Sequence, residues 1–393
     1  MNSESPLARR PPPPVPQSHH TGFLGAGKTT LLNRLLKDPA LGDTVVLINE
    51  FGEIGLDHLL VETVDDDMIL LSSGCLCCSI RGDLITTLTD LMRRRDNGRI
   101  KPVNRVVVET TGLADPAPIL HTIMYHPYLI LRYRLDGVIS VVDAVNGLAT
   151  LKDHDEALRQ AAVADRLVIT KTDLADTPER AASLAQLRLE LRTLNPTART
   201  FNAADADAAR LLDAGVYAPD GKTPQVRAWL NAEAFEDSHA AHHHKHGHDH
   251  HAHGAHAGQD PHDVNRHDAA IRAFCLTSAQ PIAPAAFDLF LDMMGKLHGP
   301  KMLRLKGIVA LADDPLRPVV VHGVQHVFHP PLRLDAWPDD DHRTRLVFIL
   351  RDLPQRFVED LWAALTGGLA PDLADAAALG ANPLAPSQGG LLG

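Results

Sequence analysis

Short apolar runs without polar alternation recur along the first half of the chain: TVVLINE (44–50), MILLS (68–72), RVVVETT (105–111), DGVISVVDA (136–144) and RLVITKTD (166–173). An unbroken run of this kind suits a strand covered on both faces, as in a parallel sheet. Stretches with helical spacing lie between them: one beginning at Lys28, one over 84–95, one after Pro116 and one over 178–194. Strand and helix in alternation predict a doubly wound α/β domain with a mainly parallel sheet. After residue 268 the order changes. A strand over 270–278 precedes a helix over 284–298, which carries Phe287, Phe290, Leu291, Met294 and Leu297 on one face. Strands over 302–311, 319–328 and 345–350 and a helix over 354–365 follow, predicting a smaller α+β domain with a mainly antiparallel sheet.

Composition divides the 393 residues further. Residues 1–17 are proline-rich and predicted to be disordered, and 18–235 form the first domain. Residues 236–268 read as a solvated linker holding 12 of the 23 histidines, with almost nothing to bury. Residues 269–366 form the second domain, and 367–393 an Ala/Gly/Pro tail. Apolar residues at 45% and charged residues at 22% fit a soluble globular protein. A net charge of -11 without a basic run argues against nucleic acid or an anionic membrane as partner. Three of the four cysteines fall within four residues, too close for a disulfide scaffold, and no apolar run spans a bilayer. A soluble, cytoplasmic protein is expected.

Candidate chemistry begins at GFLGAGKT (22–29), which fits the phosphate-binding pattern GxxxxGK[ST]. A Gly-rich loop opening a helix presents backbone N–H groups and a positive helix end to phosphates. Lys28 would reach the β- and γ-phosphates and the Thr29 hydroxyl would ligate Mg²⁺. The run ending at Glu109, followed by Thr110, Thr111 and Gly112, is suited to face a γ-phosphate or its metal from a strand end. TKTD offers Asp173 to the N1–H and exocyclic amine of guanine, with Lys171 along the base, so GTP is favoured over ATP. The strand that should precede the loop reads VPQSHH (15–20) instead of an apolar run. Proline cannot donate to a central ladder, and polar side chains there are costly to bury. A short strand formed regardless, an unusual start to the chain and a damaged site are the three explanations.

GCLCCSIRGDL (74–84) supplies thiolates, which prefer soft or borderline cations such as Zn²⁺. In an extended segment Cys75 and Cys77 would share one ion and Cys78 would point elsewhere. Such an incomplete ligand set suits an ion that is taken up and released. Cys275, alone in a strand pattern, reads as core. The histidine tract offers imidazoles without preorganisation, suited to collecting metal. His322, His326 and His329 alternate with apolar residues and read as half-exposed sheet positions.

In order, GFLGAGKTTLLN, INEFGEIGLD (48–57), GCLCC, ETTGLADP (109–116), DGVISVVDA and TKTDL resemble the CobW-type metal-handling P-loop GTPases, as does GPKMLRLKGIVAL (299–311). The resemblance covers about residues 21–360 and implies slow GTP hydrolysis coupled to handing Zn²⁺, or Co²⁺, to a client metalloenzyme. It implies that Gly22, Gly25, Ala26, Gly27, Lys28, Thr29 and Thr30 hold the phosphates, with Glu109 and Gly112 near the γ-phosphate and Lys171 and Asp173 on guanine. It places the transferred ion on Cys75, Cys77 and Cys78, with Glu53 and His126 as weaker candidates. A homo-oligomer is compatible with this reading. A noncatalytic His/Cys metal buffer with a decayed loop is the alternative, and an ATP-using kinase or ATPase is a third reading that TKTD disfavours.

Overall fold

A computed structural model describes residues 13–49, 68–71, 77–212 and 271–367. The first unit contains strands β1 (Val15–Gly22), β2 (Thr44–Asn49), β3 (Met68–Leu71), β4 (Arg105–Thr110), β5 (Tyr133–Asp143), β6 (Arg166–Thr170) and β7 (Arg199–Asn202). They form one seven-stranded sheet in the order β3-β2-β4-β1-β5-β6-β7. Every pairing in it is parallel. Helices α1 (Lys28–Leu35), α2 (Cys77–Asp96), α3 (Ala117–Tyr125), α4 (Leu129–Arg132), α5 (Gly147–Asp153), α6 (Asp155–Ala162), α7 (Pro178–Leu194) and α8 (Ala208–Leu211) cover its faces. Because the strands are parallel, all their C-terminal ends share one edge of the sheet, where ligands bind in open α/β folds.

The polar segment before the loop does form a strand, and that strand is central. β1 begins at Val15, inside the 1–17 stretch expected to be disordered, and pairs with β4 on one side and β5 on the other. Gln17, Ser18, His19, His20 and Thr21 are all buried. Pro16 is tolerated because it precedes the β4 ladder, which starts at Gln17, and has only β5 beside it. Ser18 Oγ donates to Asp136 Oδ2 at 2.9 Å, and Arg105 pairs with the same oxygen. Among the described residues the two amide atoms of Gln17 and both ring nitrogens of His19 have no hydrogen-bond partner, nor has His20 Nδ1. Burial holds the imidazole of His19 down to about 3, with help from His20, and that of His20 down to about 4, so both are neutral.

The second unit places β8 (Ile271–Ser278), β9 (Met302–Val309), β10 (Val319–Val324), β11 (Val327–Phe328), β12 (Leu332–Arg333) and β13 (Thr344–Arg351) in one sheet, ordered β11-β10-β9-β13-β8, with β12 against β10. All its named pairings are antiparallel. Helices α9 (Pro284–His298) and α10 (Gln355–Leu365) close a core around Phe274, Phe287, Phe290, Phe348 and Trp362. The expected strand over 319–328 is a tight hairpin, β10 to β11, turning at Gln325 with φ 53. Leu297, assigned to the buried face of α9, is exposed in the last helical turn.

The two units meet across an apolar seam and a buried charge cluster. Leu120 and Met124 of α3 pack with Val324 and Val327, and Ala162 of α6 packs with Leu303 and Ile349. Asp165 receives Arg304 Nη2 at 2.5 Å and also Lys306 Nζ, while its Oδ2 accepts the Val138 N–H at 2.9 Å. Burial alone would raise the Asp165 carboxyl, but the two cations hold it below the usual carboxylate range. His322 and His329, read from sequence as half-exposed, are buried beside this cluster with rings 5.6 Å apart; only His326 is exposed. Docking against the first unit covers the face that strand alternation alone would leave open. Cys275 is partly buried in β8, and burial pushes its thiol up to about 11, which suits an inert side chain. Among the described residues no helix is long and apolar enough to cross a membrane.

Candidate functional site: the phosphate loop and its neighbours

β1 ends in Gly22, and the loop runs from there to α1. Gly22 has φ 143, and a Cβ would lie 2.4 Å from the Val141 carbonyl oxygen, so only glycine lets the loop leave the sheet here. Gly27, at φ 88, caps α1 in the left-handed conformation. Ala26 turns its methyl into the core beside Leu31 and Val168, so its backbone alone faces the loop interior. Thr170 Oγ1 donates to the Ala26 carbonyl at 2.7 Å, which ties the loop to β6. Lys28 Nζ donates to the Phe23 carbonyl at 3.3 Å and so lies across the loop. Thr30 is exposed.

Glu109, near the end of β4, is 4% exposed and accepts the Thr29 hydroxyl at 2.7 Å. The hydroxyl and carboxylate offer hard oxygen donors, the type Mg²⁺ selects, next to the Lys28 cation. The chain continues through Thr110, whose hydroxyl donates to the His20 carbonyl at 3.2 Å, to Gly112. A Cβ on Gly112 would stand 2.5 Å from the Leu24 nitrogen, so this loop lies directly against the phosphate loop. Gln160 of α6 closes the arrangement by donating to the Gly112 and Ala114 carbonyls, each at 3.0 Å.

Further along the same edge, Lys171 follows β6 at φ 54 and pairs with Asp143 Oδ2 at 2.5 Å. Burial works against the Asp143 charge, but Lys171, the Val145 N–H and the Asn146 amide hold its carboxyl below the usual range. Asp173 is exposed in the single turn Thr172–Leu174. A recess lined by Phe23, Gly25, Asp143, Gln160 and Lys171 lies between the two loops. Asp143 and Gln160 were not recognised from sequence. The signal available for Asp143 was an acid closing an apolar strand.

The expected metal ligands are only partly visible. Glu53 and Cys75 lie outside the described residues, as does the histidine tract, and the side chains of Cys77 and Cys78 are not described. The backbone at Cys77 and Cys78 opens α2, so the two are consecutive helical positions and not part of an extended segment. His126 follows the C-terminal end of α3, where a cavity is lined by it, Tyr128, Ile85, Thr89 and Arg93 of α2. The structure therefore sets His126 beside the later turns of α2, away from the first turn that carries Cys77. Among the described residues no three His, Cys, Asp or Glu side chains gather as a metal site.

The profile of the CobW/HypB/UreG nucleotide-binding domain matches residues 16–202, and that of the cobalamin synthesis protein CobW C-terminal domain matches 271–366. The zinc chaperone YjiA of Escherichia coli is 30% identical over 355 residues, which cover 90% of this chain and 98% of that protein. This chain belongs to the CobW family. A CobW-family zinc chaperone of Sinorhizobium sp is 30% identical over 390 residues, covering 89% of this chain and 97% of its own. The zinc-regulated GTPase metalloprotein activator 1 of Schizosaccharomyces pombe is 35% identical over 211 residues, about half of each chain (52% and 50%). The crystal structure of Zn(II)-bound YjiA GTPase from E. coli superposes with a TM-score of 0.61 at 25% identity, covering 90% of this chain and 99% of that one. The doubly wound CobW nucleotide-binding unit followed by an antiparallel CobW C-terminal unit is thus the architecture expected from the sequence.

Proposed function

We propose that this CobW-family protein hydrolyses GTP with Mg²⁺ and uses the cycle to load Zn²⁺ into a client metalloenzyme. The observation that carries the reading is the Thr29 hydroxyl held 2.7 Å from the buried Glu109 carboxylate, with Lys28 folded over the same loop. Mg²⁺, when bound, would supply charge neutralisation for the transferred phosphoryl group, and Thr29 and Glu109 are the residues that would hold it. The backbone from Gly22 to Thr30 would cradle the phosphates and Gly112 would face the γ-phosphate. Asp173 would read guanine while Lys171, fixed by Asp143, lies along the base.

Zn²⁺ is the cargo, carried on Cys75, Cys77 and Cys78. Sheet order supports coupling between cargo and nucleotide. β3, which leads into the cysteine segment, lies two strand spacings from β4, roughly 10 Å, at the same sheet edge as Glu109. If GTP alters Zn²⁺ affinity, Zn²⁺ must alter GTP affinity by the same factor. Titrating Zn²⁺ with and without a nonhydrolysable GTP analogue tests the reading, beside Cys77→Ser in a chain lacking residues 238–267. The expected result is a nucleotide-dependent Zn²⁺ affinity that Cys77→Ser abolishes while GTP binding persists. Nucleotide-independent affinity, or no hydrolysis of GTP, overturns it. Loss of nucleotide binding alone would favour the metal buffer. The formation of β1 and the intact loop weigh against that reading.

A further inference from the structure

We infer that Gln160 is the positioning residue for the loop facing the γ-phosphate, and that α6 ties the setting of this loop to docking of the C-terminal unit. The inference rests on the nucleotide reading given above. α6 is only eight residues long, about 12 Å, and is held on both flanks.

Toward the nucleotide site, Gln160 is 1% exposed and donates from one Nε2 to two carbonyls, those of Gly112 and Ala114. Arg159 Nη1 reaches Asp115 Oδ2 of the same loop at 3.2 Å. The four residues 112 to 115 of that loop are therefore held at the Gly112 and Ala114 carbonyls and the Asp115 carboxylate from α6, and at Gly112 by the Leu24 contact. The Oε1 of Gln160 has no partner among the described residues, although it is buried. A buried amide that leaves its acceptor unused to place two donors is poorly explained by stability alone.

Toward the C-terminal unit, Asp155 Oδ2 accepts Arg351 Nη2 at 2.6 Å, and Ala162 packs against Leu303 and Ile349. Three residues after α6, Asp165 takes the Arg304 and Lys306 charges. The helix cannot shift relative to the C-terminal unit without disturbing both contacts. It cannot shift relative to β4 without pulling on Gly112. A change in how the C-terminal unit sits, such as a client would impose, thus arrives at the loop that senses the third phosphate.

The test measures binding of GDP and of a nonhydrolysable GTP analogue, each with Mg²⁺, to the full chain. GDP has no γ-phosphate to meet the loop, so the ratio of the two affinities isolates the loop's contribution. Gln160→Leu should weaken the analogue by about tenfold while changing GDP by less than about twofold. Arg351→Ala should shift the ratio in the same direction by about threefold in the unaltered chain and not at all in the Gln160→Leu background. Arg159→Gln, at a half-exposed position that tolerates replacement, is the second variant should Gln160→Leu fail to fold, and a smaller shift of the same sign is expected. A ratio unchanged in Gln160→Leu, or in Arg159→Gln where the former does not fold, overturns the inference, as does an Arg351→Ala effect that is equal in both backgrounds. Absence of nucleotide binding by the unaltered chain would instead sink the nucleotide reading on which the inference stands.

Discussion

β1 should be the weakest link in the nucleotide-binding unit, and replacing its polar side chains with apolar ones should stabilise the protein. Gln17 lies beside Val106 and His19 beside Val108, two residues of the core formed with Leu84, Leu88 and Ile119. His20 lies between Glu109 and Ile139. Each buried polar side chain left without a partner costs about 1–3 kcal/mol. Gln17→Val, His19→Val and His20→Leu together should therefore add roughly 3–9 kcal/mol, set against a total of about 5–15 kcal/mol for a typical domain. In a unit of about 200 residues, at about 2–4 °C per kcal/mol, that corresponds to a rise of about 6–36 °C in the unfolding midpoint.

The same substitutions should change the acid response. The folded-state values of His19 and His20, about 3 and about 4, lie below the ordinary 6.5. For a depressed pKa the stability is present above the unfolded value and is lost as pH falls from about 6.5 toward the folded values. Two protons bound only by the unfolded chain give a slope of about 2.7 kcal/mol per pH unit below that point, or roughly 3–4 kcal/mol between about pH 7 and about pH 5. His322 and His329 act in the same sense but remain in the variant, so the comparison isolates β1. Urea denaturation of both proteins at the two pH values checks this. A variant no more stable than the parent at neutral pH, or an equal acid loss in both, would refute the account of β1 as a strand with unpaired buried side chains.

Three other outcomes follow from the site and the interface. Thr29→Ala removes the hydroxyl paired with Glu109, and steady-state GTP hydrolysis should fall by about 100-fold; an unchanged rate would exclude Thr29 from the chemistry. Asp173→Asn should weaken GTP by about 1–3 kcal/mol in competition binding while leaving ATP unaffected, since it removes a carboxylate acceptor; parallel losses for both nucleotides would argue that Asp173 does not read the base. Asp165→Asn leaves Arg304 and Lys306 buried without their counter-charge, and calorimetry should register a loss of about 3–5 kcal/mol; an unmoved transition would mean that the cluster is better solvated than its burial implies.

The phosphate loop was legible because its chemistry is contiguous: Gly22 to Thr29 carry the turn, the cation and the hydroxyl within eight residues. The C-terminal helices were legible for a related reason, since Phe287, Phe290, Leu291 and Met294 repeat at the helical period. What escaped depends on partners distant in the chain. VPQSHH carries no strand pattern of its own; it is extended because β4 and β5 supply a ladder on each side, and tertiary context overrides local preference. Asp143 meets Lys171 across 28 residues, Gln160 meets Gly112 across 48, and His322 is covered by a unit more than a hundred residues earlier. Helix α2 begins at Cys77 instead of near 84, so its first backbone turn falls within the cysteine segment. Gln160 with Gly112 and Arg351 with Asp155, taken together along α6, join the nucleotide edge to the second unit. A motif can specify what a loop binds, but what that loop communicates with is fixed by contacts such as Gln160 with Gly112 and Arg351 with Asp155, which no local pattern encodes.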